Sequence, residues 1–222
     1  MPKQPVKKII CGCLLMRHYN YLSSKIQFRM STTIINALTA LIDFSDAELA
    51  EFMEALKPRK LKKNDFMLEA GTVCKSMAII NSGGLRYYSI TEKGEQSNWF
   101  AFEGEWLGDY ESFLTQQPSL HFIQALEDTE IFCLSYDDMQ KLYSKGLRFE
   151  RFGRLIAENL FISTERSRHD LANLPADQRY LNLINRYPNI LKRIQIQHIA
   201  TYLGIQPQSL SRIRRNIASK KN

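Results

Sequence analysis

Cysteine and histidine are scarce, four of each in 222 residues, and neither gathers into a cluster. Cys11 and Cys13 form the one close pair, and their C-x-C spacing is not a C-x2-C zinc or redox arrangement; Cys74 and Cys133 stand alone. His18, His121, His169 and His198 are scattered. These scarcities exclude a disulfide framework and a His-rich metal centre, so free thiols in a reducing cytoplasm and no bound metal are expected. An enzyme built on a β barrel would need several His and carboxylate ligands on its strands. Only His121 falls there, so no catalytic residue is assigned and no enzymatic activity is expected. No apolar run approaches the roughly 18 residues of a membrane span, which removes the membrane as a partner.

What the chain has in quantity is charge, unevenly placed within a formal net of +7. Pro175 to Asn222 carries nine Lys or Arg against one Asp, whereas Ser31 to Leu174 carries fifteen against twenty-two Asp or Glu. A basic end follows an acidic body, and a polyanion is the natural partner of the basic end. Met1 to Arg29 adds six basic residues and no acid around the short apolar run Ile9 to Met16. That run has no small-residue cleavage site behind it, so residues 1–29 read as a basic extension, either disordered or preceding the true start at Met30, rather than a signal peptide.

The basic end contains QHIATYLGIQPQSLSRIRR, Gln197 to Arg215. Two helices crossing through a tight turn need a small residue at their closest approach and a turn residue that accepts positive φ. Ala200 and Gly204 meet those needs, with Ile199, Leu203, Ile205, Leu210 and Ile213 as the inward face. Pro207 suits the first position of the second helix, where a missing N–H costs nothing. The outward positions carry hydrogen-bonding side chains and no acid, which suits a major groove. Gln208, Ser211 and Arg212 are placed for base edges, while Gln206, Ser209 and Arg215 are placed for phosphates. For Arg212 the alternative is an ordinary solvated helical charge.

Upstream, Ile34, Leu38, Leu41 and Ile42, then Leu49, Phe52, Met53 and Leu56, recur at helical spacing and predict two short helices ending before Pro58. From Arg59 to Ser135 the period shortens to runs of β-branched and aromatic residues punctuated by Asn64-Asp65, Gly71, Gly83-Gly84 and Gly94, which predicts a small barrel or sandwich. Tyr87 and Ser89, with Trp99 and Ala101, predict a hairpin with one buried face. Ser135 and Asp138 form a capping pair for a short helix that Gly146 ends. A longer helix then carries Phe149, Phe152, Ile156 and Leu160, its stripe widened by Leu155 and Ile162. Such a stripe either packs wholly within the chain or shares one edge with a second copy. Leu174-Pro175 marks a hinge, and Leu181 and Ile184 are expected to begin the last core.

This order, together with LKKNDFMLEAG from Leu61 to Gly71, GEWLGDYESFL from Gly104 to Leu114 and the terminal motif, resembles the Crp/Fnr family of bacterial transcription regulators, in wording similar to members common in Bacteroidetes. The resemblance implies an α+β chain: a cyclic-nucleotide-binding-like β-roll effector domain over residues 31–145 with flanking helices, a central dimerisation helix over 146–174, and a helix-turn-helix domain over 175–222. It also implies a cytoplasmic homodimer that binds double-stranded DNA and engages RNA polymerase. In nucleotide-binding members a Gly-Glu-x-Leu-Gly stretch and a following Arg-Ser pair hold the ligand. Gly104, Glu105, Leu107 and Gly108 match the stretch, but the pair falls on Ser119 and Leu120, so the arginine is missing. A buried phosphate without that cation loses about 1.5–3 kcal/mol. Cyclic AMP is therefore expected not to bind. Gly104, Glu105, Leu107, Gly108 and Ser119 remain as an effector pocket or as turn-forming remnants, with Glu105 solvated.

Cys11 and Cys13 are too few for the iron–sulfur cluster of oxygen-sensing members, so no cofactor is expected. Only Asn216 to Asn222 follows the second helix, so a wing must be made before the motif or be absent, with Lys192, Arg193, Lys220 and Lys221 supplementing the phosphate contacts. The sequence thus predicts a homodimeric, sequence-specific regulator reading a palindrome with a recognition helix over Gln206–Arg215. The alternative is a small-molecule sensor, for a ligand other than cyclic AMP, in which DNA binding is secondary.

Overall fold

The computed structural model describes residues 30–219. The expectations for residues 1–29, for Cys11, Cys13 and His18, and for Lys220 and Lys221 lie outside the described residues. Two helices lead, α1 (Thr32–Leu41) and α2 (Asp46–Ala55). Ile34 and Leu38, one turn apart on α1, are fully buried. At α2, Ser45 and Glu48 form a reciprocal capping box, which satisfies two otherwise unpaired donors of the first turn.

Eight strands follow: β1 (Lys57–Leu61), β2 (Phe66–Leu68), β3 (Ser76–Ser82), β4 (Leu85–Thr91), β5 (Gly94–Ala101), β6 (Trp106–Leu107), β7 (Phe122–Ala125) and β8 (Thr129–Ser135), with the short helix α3 (Tyr110–Thr115) between β6 and β7. They form two four-stranded antiparallel sheets, ordered β1-β8-β3-β6 and β2-β7-β4-β5. Ile79, Leu85, Phe113, Ile123 and Ile131 fill the roll between them. The β4–β5 hairpin departs from a single buried face: Arg86, Tyr88 and Phe100 are buried along with Leu85 and Ala101. A bulge interrupts the register after Tyr87, and the carboxy-terminal domain covers the outer face of the hairpin.

Helix α4 (Tyr136–Lys145) starts on Ser135, whose Oγ accepts from the Asp138 N–H at 3.1 Å, and it ends at Gly146. The long helix α5 (Leu147–Asn173) buries its first turns, where Phe149 and Phe152 join Phe44 and Phe52 in an aromatic cluster. Gly153 leaves room for Tyr143 of α4, since a Cβ there would stand 1.8 Å from the Tyr143 hydroxyl. Beyond Ile156 the helix leaves the body, and Phe161, outside the stripe read from the sequence, is 69% exposed beside half-exposed Leu160 and Ile162.

Leu174 is extended before Pro175, and four helices finish the chain: α6 (Ala176–Arg186), α7 (Ile190–Arg193), α8 (Ile196–Tyr202) and α9 (Pro207–Ser219). Tyr180 and Leu183 are the buried residues of α6, Ile184 packs at the edge, and Leu181 lies outside that cluster, one position round the helix from its expected place. Among the described residues after Pro175 there is no strand, so no hairpin wing precedes the motif.

Candidate nucleic-acid interface

Helices α8 and α9 make the turn that the spacing requires. Gly204 has φ +66°, in the left-handed region, and its N–H donates to the Thr201 carbonyl at 3.0 Å. Ala200 and Ile199 are fully buried, as is Leu210 across the turn, and Leu203 is nearly so. Pro207 is the first residue of α9, and the carbonyl of Gln206 accepts from the Leu210 N–H at 3.1 Å. Gln208, Ser211, Arg212 and Arg215 are exposed on one side of α9, Ser209 is half-buried at its edge, and Gln206 is exposed just before the helix. Ser211 Oγ also donates back to the Pro207 carbonyl at 3.1 Å. Five of the six residues expected to meet DNA thus stand on one helix, and Gln206 immediately precedes it.

This domain is not a free appendage of the β-roll. Phe100 and Phe102 of the roll belong to the same apolar cluster as Tyr180, Leu183, Ile190, Ile199 and Leu203. Polar links surround that cluster. Thr201 Oγ1 on α8 is 2.9 Å from Ser97 Oγ on β5, and Gln96 Nε2 donates to the Thr201 carbonyl. Arg193, expected at a phosphate, instead grips the roll: its two terminal nitrogens donate to Glu103 at 2.9 and 2.8 Å, and its Nε donates to Glu127 at 2.9 Å. Burial opposes charge on Glu103, but the hydrogen bonds from Arg193 outweigh it and hold that carboxyl below its usual range.

Glu105 is likewise not simply solvated. The Tyr187 hydroxyl lies 3.0 Å from both its carboxylate oxygens, and Arg186 Nη2 approaches at 3.3 Å while its guanidinium stacks 4.3 Å over Trp99. Burial, then the neighbouring Glu105 charge, pushes the Tyr187 phenol well up, so it stays a donor. Beneath α8, Arg86 is 1% exposed; it donates to Ser97 at 2.8 Å and Glu95 at 2.6 Å, and its Nη2 has no partner. Burial, then the Arg86 charge, lowers His198 on α8 to about 4, which keeps that imidazole neutral.

The effector-type turn is used up structurally. Gly104 has φ +82° and its N–H donates to Ile80, and the Glu105 N–H donates to Phe102, both at 2.9 Å. A Cβ on Gly108 would meet Met77 Sδ at 2.3 Å, and Leu107 pairs with Ala78 across β3. Ser119 is 2% exposed and donates to the buried Asp109 at 2.5 Å, with His121 Nδ1 at 3.2 Å from the same oxygen. Burial opposes ionisation of Asp109, yet His121 and Ser119 together keep its carboxyl below the usual range. A negative group therefore stands beside the position where an arginine would meet a ligand phosphate. Between the roll and the helices that flank it, beside Trp106, Tyr143 and Phe152, lies an apolar cavity of about 30 Å³, and a more polar one of about 290 Å³ lies on the roll beside Arg59, Phe66 and Cys74.

Among the described residues no three His, Cys, Asp or Glu side chains are grouped to hold a metal ion, and no helix is long and apolar enough to cross a membrane.

Comparison with known proteins agrees with this architecture. Residues 58–145 match the cyclic nucleotide-binding domain family. Electron transport regulator A of Shewanella oneidensis is 25% identical over 178 residues, covering 75% of this chain and 70% of that one. The fumarate and nitrate reduction regulatory protein of Yersinia pestis is 33% identical over 99 residues, 44% of this chain and 38% of its own length. The structure of FixK2 from Bradyrhizobium japonicum superposes with a TM-score of 0.67 at 14% identity, covering 75% of this chain and 86% of that one, and so shares the fold. Fold and site define the class, a cyclic nucleotide-binding-type β-roll carried by a long helix to a helix-turn-helix. Within that class, the matched domain and these relatives support a Crp/Fnr family regulator.

Proposed function

We propose that the chain is a sequence-specific DNA-binding transcription regulator that acts as a homodimer on a palindromic site. The observation that carries this reading is the exposed, acid-free face of α9 on a turn with the left-handed Gly204. Arg212 suits a bidentate contact to guanine and Gln208 one to adenine, while Gln206, Ser209 and Arg215 serve phosphates. Pairing through the outer half of α5, where Leu160, Phe161 and Ile162 are exposed, would set two such helices in successive major grooves about 34 Å apart. The Crp/Fnr likeness supports RNA polymerase as a further partner. Residues 31–145, 146–174 and 175–222 are then the effector, pairing and reading segments. Selection of bound sites from random DNA with the purified protein should enrich an inverted repeat. A pool that stays random would defeat the proposal.

The effector, where one acts, is not cyclic AMP. Charged Asp109 beside Ser119 would repel the phosphate, and the turn at Gly104–Gly108 has spent the Gly104 N–H on the Ile80 carbonyl and the Glu105 N–H on the Phe102 carbonyl. Calorimetric titration should show no micromolar binding of cyclic AMP.

A further inference from the structure

We propose that the rim of the β-roll formed by Glu103, Glu105 and Glu127 is an internal stand-in for DNA phosphate, holding Arg186 and Arg193 so that full DNA affinity requires this rim to be displaced. The proposal rests on the DNA-binding reading and adds a control to it. The seam brings opposite charges together: the roll is the acidic part of the chain, and the helix-turn-helix segment is the basic part. Arg193 engages Glu103 through both terminal nitrogens, Glu127 through Nε, and the Phe102 ring at 4.3 Å through its face. Guanidinium forks recognise carboxylate and phosphate by the same planar, two-point geometry, so one can replace the other without new chemistry. Arg186 and Tyr187, adjacent at the end of α6, repeat the arrangement on Glu105.

The docked arrangement leaves the outward face of α9 exposed, so it does not work by hiding the base-reading residues. It removes two cations from the phosphate-binding set and fixes the angle of α8 against β5 through Ser97, Gln96 and Thr201. The apolar part of the seam includes Phe100 against Tyr202 and Phe102 against Tyr187, with ring centres 5.3 and 5.1 Å apart. Much of the remainder is ionic, and that part weakens with salt and competes with a polyanion. Two states follow, docked on the roll and released to DNA, and any agent that binds one of them better shifts the balance.

The Ser97 and Thr201 hydroxyl oxygens, 2.9 Å apart, provide the test. Full-length protein carrying Ser97→Cys and Thr201→Cys, in a background with Cys11→Ser and Cys13→Ser, should form an intramolecular disulfide under mild oxidant. Oxidation should weaken binding to the selected DNA site at least about fivefold, with recovery on reduction. In a second variant, Glu103→Gln with Glu127→Gln, DNA should bind tighter. Its salt slope should steepen by about one as Arg193 becomes available to a phosphate, and when it is added to the cysteine pair the disulfide should form more slowly. Failure of the disulfide to form overturns the proposal, as does an oxidised form that binds DNA as well as the reduced one. So does a carboxamide variant with unchanged affinity and slope. If the parent protein binds no DNA, the DNA-binding reading itself has failed. The rate of disulfide formation then judges the rim alone, and a rate unchanged by the carboxamides rejects it.

Discussion

Arg212 and Arg215 sit one turn apart on α9 with exposed side chains, and chemistry separates their roles. Arg212→Ala should lose about 1–3 kcal/mol at one base position and relax the preference there, whereas Arg215→Ala should weaken all sequences alike and lower the salt slope by about one. Binding measured against the selected site and its single-base variants, over a salt series, distinguishes the two. Gly153 offers a stability counterpart. The Tyr143 hydroxyl occupies the space its Cβ would need, so Gly153→Ala should cost about 1–3 kcal/mol, read as a lowered melting temperature with DNA contacts untouched.

At the scale of elements, α5 has two halves with different tasks. Its first turns are fixed by Phe149 and Phe152 in the aromatic cluster, while among the described residues Phe161 stands exposed. Phe161→Ala should remove about 1.5–3 kcal/mol of burial per copy from a dimer, which sedimentation equilibrium would register as a shift toward monomer. The periodicity of α5 was readable because the aromatic residues recur every three or four positions, but Phe161 falls off that stripe. It becomes conspicuous only once the helix is seen to leave the body. The turn between α8 and α9 was legible down to its glycine, since Ala200, Gly204 and Pro207 act on their own backbone within a few residues. The helices within residues 32–55 and 136–173 followed for the same local reason.

Across the whole molecule, local rules lose their grip. Arg193 meets Glu103 and Glu127 across 90 and 66 residues, and no spacing rule connects them. Their partnership was visible only as a charge imbalance between the two ends, which was read outward to DNA and not inward to the roll. Arg86 was likewise unremarkable in a strand until α8 was found to cover it. His198 gives that seam a pH dependence. An unfolded histidine titrates near 6.5 and the folded one near 4, so between those values the unfolded chain binds the extra proton. Stability should therefore be fully present above pH 6.5 and decline as pH falls toward 4, where a protonated His198 adds a cation beside Arg86, with Glu95 opposing that effect in part. Melting temperature against pH, with His198→Gln flattening this window, checks the assignment.

Phe100 and Phe102 lie on the roll yet are covered by the helices that follow Pro175. The two functional segments consequently resist being cut apart. A fragment ending at Leu174 would display both phenylalanines and the otherwise hidden Arg86 to water, so on a sizing column it should form species larger than the dimer expected of the intact chain. Exchanging the helix-turn-helix for that of a relative would succeed only where the incoming α6 and α8 bring a matching lid.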